Sequence, residues 1–236
     1  MTQQVPQPPR LAGYSYVRVL GHGSTATVYL YRQQGIERDV AIKVSVEQVD
    51  SRIADAFRAE ARAMAALSSH PYILSTYDAG VTDDGRYYLV FEYAPGGTLK
   101  DVLCNHVLDV PQMLSMGVHL ASAVATAHRA GIVHRDIKTS NVLITWQRLP
   151  TLADFGIAVT AYDHSSTGYS LPWAPPETLR TGGAGGEAAD IYSLGAVLYA
   201  SLVGTSPFEY GEGAGKAHHD ATAADDPAQR RSHCGA

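Results

Sequence analysis

Cysteine is nearly absent from this 236-residue chain: only Cys104 and Cys234 occur, and they form no Cys-x-x-Cys pair. That excludes a disulfide-rich scaffold and gives no zinc-ribbon spacing, and it fits a reducing compartment. Charge is sparse too, at 17% of residues, with 18 Lys and Arg against 23 Asp and Glu, a formal net charge of -5. A basic excess of the kind that grips nucleic acid or an anionic membrane surface is missing. Long hydrophobic runs are also missing. The most apolar stretch, Ile191 to Val203, falls short of the ~20 residues that cross a bilayer. The start, Met1 to Arg10, is polar and proline-rich and has no apolar signal-peptide core. The expectation is a cytoplasmic protein with neither nucleic-acid nor membrane partners.

What is present is globular: 45% of residues are hydrophobic, enough to exclude a disordered or fibrous chain. Residues 1–13 read as a flexible leader. Strand patterns follow at Tyr14 to Leu20, Thr27 to Tyr31 and Val40 to Val46, punctuated by Gly21, Gly23 and Gly35. Asp50 or Ser51 can cap a helix ending near Leu67, with Ile53, Phe57, Ala61, Met64 and Ala65 toward one face. Ile73 to Tyr77 and Tyr87 to Glu92 read as two more strands around the turn Asp83-Asp84-Gly85. Beyond Pro95-Gly96-Gly97 the texture is helical, with helices predicted at Pro111 to Arg129 and Asp190 to Leu202. The second is apolar nearly all round, which predicts burial. From Gly211 to Ala236 there is no Val, Ile, Leu, Met, Phe, Trp or Tyr, so this end is expected to be a disordered tail.

The chemistry concentrates in short motifs. Gly21-His22-Gly23 between two strands is either a tight hairpin turn or a backbone cradle for a polyphosphate. Lys43, in the apolar strand Val40-Ala41-Ile42-Lys43, points either into water or inward, where it needs an anion such as Glu60. His134-Arg135-Asp136-Ile137-Lys138-Thr139-Ser140-Asn141 is more specific. One loop supplies a carboxylate that can orient a hydroxyl and take its proton, a cation for a phosphoryl group, and an amide oxygen for Mg²⁺. Asp154-Phe155-Gly156 follows an apolar stretch and can place a metal-binding carboxylate at a strand end. Asp-x-Gly alone is a common turn.

Together with Pro175-Pro176-Glu177, these motifs occur in the order found in protein kinases, and the sequence resembles the eukaryotic-type serine/threonine protein kinases of bacteria from about Tyr14 to Phe208. The resemblance implies an α+β bilobal fold. A β-rich antiparallel N-lobe with one helix would span 14–93, and a mainly α C-lobe lacking its last helices would span 94–210, before the tail at 211–236. It implies that Leu20, Gly21, Gly23, Val28, Ala41, Lys43, Glu60, Glu92, Ala94 and Leu143 surround ATP, with Phe91 as gatekeeper. It makes Asp136 the catalytic base and Lys138 its phosphate-neutralising companion, with Asn141 and Asp154 as Mg²⁺ ligands. A lysine two residues after that aspartate resembles the serine/threonine subgroup, whose substrates are protein hydroxyls. Arg135 would read a phosphorylated loop, with Thr160, Ser165, Ser166 and Thr167 as its phosphosites, and Ser170 would be the substrate-loop hydroxyl that bonds Asp136 and Lys138. The proline in Pro175-Pro176-Glu177 and the sequence after Phe208 depart from the family pattern. A kinase-like fragment acting by binding, such as a truncated gene would give, and a small-molecule phosphotransferase are the alternative readings.

Overall fold

The computed structural model describes residues 6–46, 48, 61–155, 171–181 and 185–207. Five antiparallel strands open the fold: β1 (Tyr14–His22), β2 (Ala26–Gln33), β3 (Arg38–Ser45), β4 (Thr76–Val81) and β5 (Tyr87–Glu92), in the order β1-β2-β3-β5-β4. Alternation gives this sheet two apolar faces. On one, Ala41, Leu89 and Phe91 join a central cluster with Met64, Leu99, Leu120, Val142 and Val197. On the other, Tyr29, Tyr31, Val40, Ile42, Val44 and Val90 form a second cluster.

Helix α1 (61–67) carries Met64 and Leu67 into the central cluster, while Ala65, expected on the same face, is exposed. The strand expected at Ile73 to Tyr77 instead begins at Thr76. Ile73 and Leu74 are buried and turn toward β7 (Pro150–Leu152): the Leu74 N–H donates to the Leu152 carbonyl, and the Leu152 N–H donates to that of Tyr72, each at 2.9 Å. Apolar β-prone residues were thus drawn into an interlobe bridge, a long-range pairing that local pattern does not encode.

Two capping boxes start the helical part. Thr98 caps α2 (Leu99–Leu103) with Asp101 reaching back, and Asp109 caps α3 (Val110–Arg129) with Gln112 reaching back. Each such cap is worth about 1 kcal/mol. After α3 come the short strand β6 (Val142–Ile144), paired antiparallel with β7, then α4 (Pro176–Thr181) and α5 (Glu187–Val203). Gly117 of α3 packs against Leu198 of α5, where an added Cβ would meet Leu198 Cδ1 at 3.2 Å. Helix α5 is buried on that side only. Ile191 and Val203 are 57% and 40% exposed, so the expectation of burial all round fails on its outer face.

The turn joining β5 to α2 is clamped. The Gly96 N–H donates to the Ile144 carbonyl at 3.0 Å, and the Ile144 N–H donates to that of Gly97 at 2.9 Å. A Cβ at Gly96 would lie 2.7 Å from Ile144 Cβ and from its carbonyl oxygen. Gly97 follows with φ +72°, which favours glycine. Gly96→Ala should therefore lower stability by about 1–3 kcal/mol, an overpacking cost against backbone that cannot yield. Gly21→Ala, at a site open to 4 Å and with no positive φ, should leave the urea midpoint nearly unchanged.

Candidate active site

The sheet's inner face, the loop between α3 and β6, and the end of β7 converge on one cleft. Residue Lys43 shares the inward parity of Ala41 on β3 and sits opposite Val28 of β2. Its Nζ lies 2.8 Å from Asp154 Oδ1, 111 residues further along the chain. Inward orientation with an anionic partner is thus the observed state. Glu60, the partner expected from sequence, lies outside the described residues.

Asp154 occupies a left-handed backbone conformation, φ 57°, uncommon for a residue with a side chain. Desolvation within the cleft opposes its ionisation, although 43% of its side chain meets solvent. The Lys43 ammonium, by charge and hydrogen bond, outweighs that effect with help from Lys138, and holds the carboxyl below its ordinary value of 3.8. The next residue, Phe155, is buried and packs on the His134 ring, with centroids 4.4 Å apart.

The loop of residues 134–141 folds onto itself. Lys138 Nζ is 2.7 Å from Asp136 Oδ2. Asn141 Nδ2 donates to the Asp136 carbonyl at 2.8 Å and to its Oδ2 at 3.0 Å, so the amide's oxygen is turned away from these contacts. Asp136 keeps 22% of its side chain exposed, so the carboxylate is positioned yet reachable. His134 is buried with Nε2 3.0 Å from the Ala153 carbonyl. Burial lowers its pKa more than its acidic neighbours raise it, so the ring stays neutral and serves as packing and linkage.

The residue that sequence reading underrated is Asp190. The sequence shows it only as the start of an apolar helix, yet it is 1% exposed and accepts hydrogen bonds from the backbone N–H groups of His134 and Arg135 and from His128 Nε2, each at 2.8 Å. An acidic residue on the first turn of a helix destined for burial was the available signal. Arg135, whose backbone it holds at φ 68°, has a buried Nε without a hydrogen-bond partner among the described residues. That side chain borders a small cavity shared with Asp136, Trp173 and Pro175.

The remaining expected positions show little chemistry of their own. Gly21 pairs with Val28, and the Gly23 N–H closes the β1–β2 turn on the Ala26 carbonyl at 2.9 Å. Both glycines are exposed, and no atom stands within 4 Å of a Cβ built on Gly21, so packing does not demand glycine there. Leu20, Val28, Ala41 and Leu143 are half-buried, and Phe91, opposite Ala41 on β5, is buried. Glu92 and Ala94 lie on the path to Gly96, the Glu92 N–H donating to the Ser75 carbonyl at 2.9 Å. Thr160, Ser165, Ser166, Thr167, Ser170 and Gly156 lie outside the described residues.

Replacing Asp190 by alanine strands three donors in a buried site, at about 1–3 kcal/mol for each unsatisfied group. Thermal unfolding of Asp190→Ala should show a loss of at least about 3 kcal/mol. A second expectation concerns Asp154. Its depressed carboxyl contributes stability that is complete above the unfolded pKa and lost as pH falls through the folded one. Lys43→Ala removes the main opposing cation, so desolvation then raises the pKa. A ¹³C carboxyl titration should show Asp154 titrating at higher pH in that variant.

Comparison with known proteins agrees with this geometry. The family described as the protein kinase domain matches residues 14–232. The serine/threonine-protein kinase PknK of Mycobacterium tuberculosis is 38% identical over 203 residues, covering 84% of this chain and 18% of PknK. PrkC of Bacillus subtilis is 39% identical over 209 residues, covering 85% of this chain and 32% of PrkC. The chain thus spans less than a third of either relative. The crystal structure of the M. tuberculosis PknI kinase domain, in a cysteine-to-alanine variant, superposes with a TM-score of 0.68 at 28% identity, covering 87% of this chain and 79% of that one. With the fold, the ordered motifs and these matches in agreement, the chain belongs to the protein kinase domain family.

Proposed function

We propose that this chain is a serine/threonine protein kinase domain, transferring the γ-phosphoryl group of ATP to a protein hydroxyl. The observation that carries the reading is the Lys43–Asp154 pair, which brings the strand lysine and a metal-competent carboxylate to one cleft with Asp136. Each side chain then has a task. Gly21 and Gly23 let the β1–β2 backbone approach the phosphates, a role supported by the empty space at the Gly21 Cβ position. Leu20, Val28, Ala41 and Leu143 supply apolar walls for the adenine, and the backbone at Glu92 and Ala94 its polar edge. Lys43, held by Asp154 and in the family pattern by Glu60, contacts the α- and β-phosphates.

The donor set fits Mg²⁺, which takes hard oxygen ligands from one or two protein groups and the substrate phosphates. Asp154 is kept ionised, and Asn141 has its amide nitrogen occupied by Asp136, leaving the oxygen to ligate. The ion would neutralise phosphate charge. Asp136 orients the incoming hydroxyl and accepts its proton as the new O–P bond forms. The bond from the γ-phosphorus to the bridging oxygen breaks, and ADP leaves with that electron pair. Lys138, 2.7 Å from Asp136, offsets the charge on the moving group. Arg135, whose Nε has no hydrogen-bond partner among the described residues, is suited to an acceptor-rich phosphate on the segment that carries Thr160 to Ser170. The cytoplasm is the proposed setting. No helix among the described residues is long and apolar enough to cross a membrane.

A radiolabelled-ATP assay on a generic protein substrate tests this. Asp136→Asn should cut transfer roughly 10²–10⁴-fold, the scale of a lost general base, while nucleotide binding persists. Gly21→Ala should weaken transfer without lowering stability. Parent-level transfer by Asp136→Asn sinks the assignment, and absence of transfer by the parent chain favours the binding-only alternative.

A further inference from the structure

The outer face of the sheet takes no part in the cleft, yet it carries three tyrosines in mutual edge-to-face contact. Ring centroids of Tyr16, Tyr29 and Tyr31 are 6.1, 5.8 and 6.3 Å apart, with ring planes 73–77° from one another. Tyr29 and Tyr31 lie two residues apart on β2, so they share a face, and they are 0% and 1% exposed. A buried phenol needs a hydrogen-bond acceptor. Both hydroxyls find theirs on the segment that precedes β1. Tyr29 donates to the Pro6 carbonyl at 3.0 Å and Tyr31 to the Pro9 carbonyl at 2.6 Å.

The segment's own chemistry explains the match. In Pro6-Gln7-Pro8-Pro9, three of four residues have φ fixed by the ring, and Gln7 and Pro8 each precede a proline and are kept out of the helical region. Such a chain favours the polyproline II helix, which has three residues per turn and no internal hydrogen bonds. Carbonyls three residues apart then lie on one side, free to accept. Those are the two carbonyls that Tyr29 and Tyr31 engage. Leu11 anchors the end of the segment in the outer cluster with Val40, Ile42 and Val90, and the Gln34 N–H donates to the Gly13 carbonyl at 2.8 Å. Burial pushes the Tyr31 hydroxyl far above its usual range, so it remains a donor across physiological pH.

We propose that the Tyr16–Tyr29–Tyr31 face is a polyproline-recognition site whose occupant is the chain's own Pro6–Pro9 segment, bound in cis. Aromatic-lined grooves that read Pro-x-x-Pro through ring packing and hydroxyl-to-carbonyl bonds are a general mode of peptide recognition. Here the spacing of two hydroxyls on one strand sets the register, and the rings supply the apolar walls. The site takes a separate peptide of the same spacing once the cis segment is disabled.

The test uses the full chain with Pro6→Gly, Pro8→Gly and Pro9→Gly together, and a synthetic peptide of residues 3–12. Binding is read by tyrosine-selective NMR. The peptide should bind the triple variant with a Kd below about 0.1 mM, and at least tenfold more weakly to the parent chain, where the tethered segment competes at an effective concentration in the millimolar range. A peptide with alanine at its three proline positions should not bind. Adding Tyr29→Phe and Tyr31→Phe to the triple variant keeps the rings, removes both hydroxyls, and should weaken binding at least about fivefold. Equal binding of the proline and alanine peptides, or indifference to the loss of both hydroxyls, overturns the proposal. If the triple variant does not fold, the parent chain decides. Nuclear Overhauser contacts between the Tyr29 and Tyr31 rings and the rings of Pro6 to Pro9 support the site, and their absence overturns it. None of these readouts depends on phosphoryl transfer.

Discussion

One buried carboxylate sets the geometry on which the rest of the site depends. Asp190 accepts from the N–H groups of two consecutive residues, His134 and Arg135, and from a side chain of the long helix α3. Two adjacent amides pointing at the two oxygens of one carboxylate require an unusual backbone, and Arg135 has it. Left-handed backbone costs an ordinary residue about 1–2 kcal/mol, and charge-assisted hydrogen bonds of this kind exceed that. From the bend follows the placement of Asp136, and from His134 on the same turn follow the contacts to Ala153 and Phe155. The helix thus fixes the loop, and the loop fixes the approach of Asp154.

The sheet performs two separate jobs on its two faces. Residues of one parity, Ala41 and Lys43, look into the cleft, and those of the other, Ile42 and Val44, support the tyrosine cluster. Because strands alternate strictly, neither face can slip by one residue without exchanging lysine for isoleucine in the cleft. Covering the outer face with the proline-rich segment therefore also protects the register on which Lys43 depends.

Much of this was readable in advance because it is local. Turn glycines, alternating strands and the 134–141 loop each announce themselves within a few residues. What escaped was long-range. Ile73 and Leu74 look like strand residues, but their partner is Leu152, nearly 80 positions away. Asp190 looks like an ordinary helix-start acid until its three donors are seen. Lys43 was legible as needing an anion, yet only folding shows Asp154 in contact with it. The tyrosines of β2 read as strand formers, and nothing in their spacing reveals that prolines twenty residues earlier accept their hydroxyl protons.

The clamp between Gly96 and Ile144 has a mechanical consequence. Two backbone hydrogen bonds and a contact with no room for a methyl group tie the connecting turn to β6 at one point. Relative motion of the lobes can then pivot about that point but cannot slide past it. A lever pinned at its inner end moves little near the pin and most at its far tip, so the segment at Glu92 and Ala94 moves least and the β1–β2 turn sweeps the widest arc.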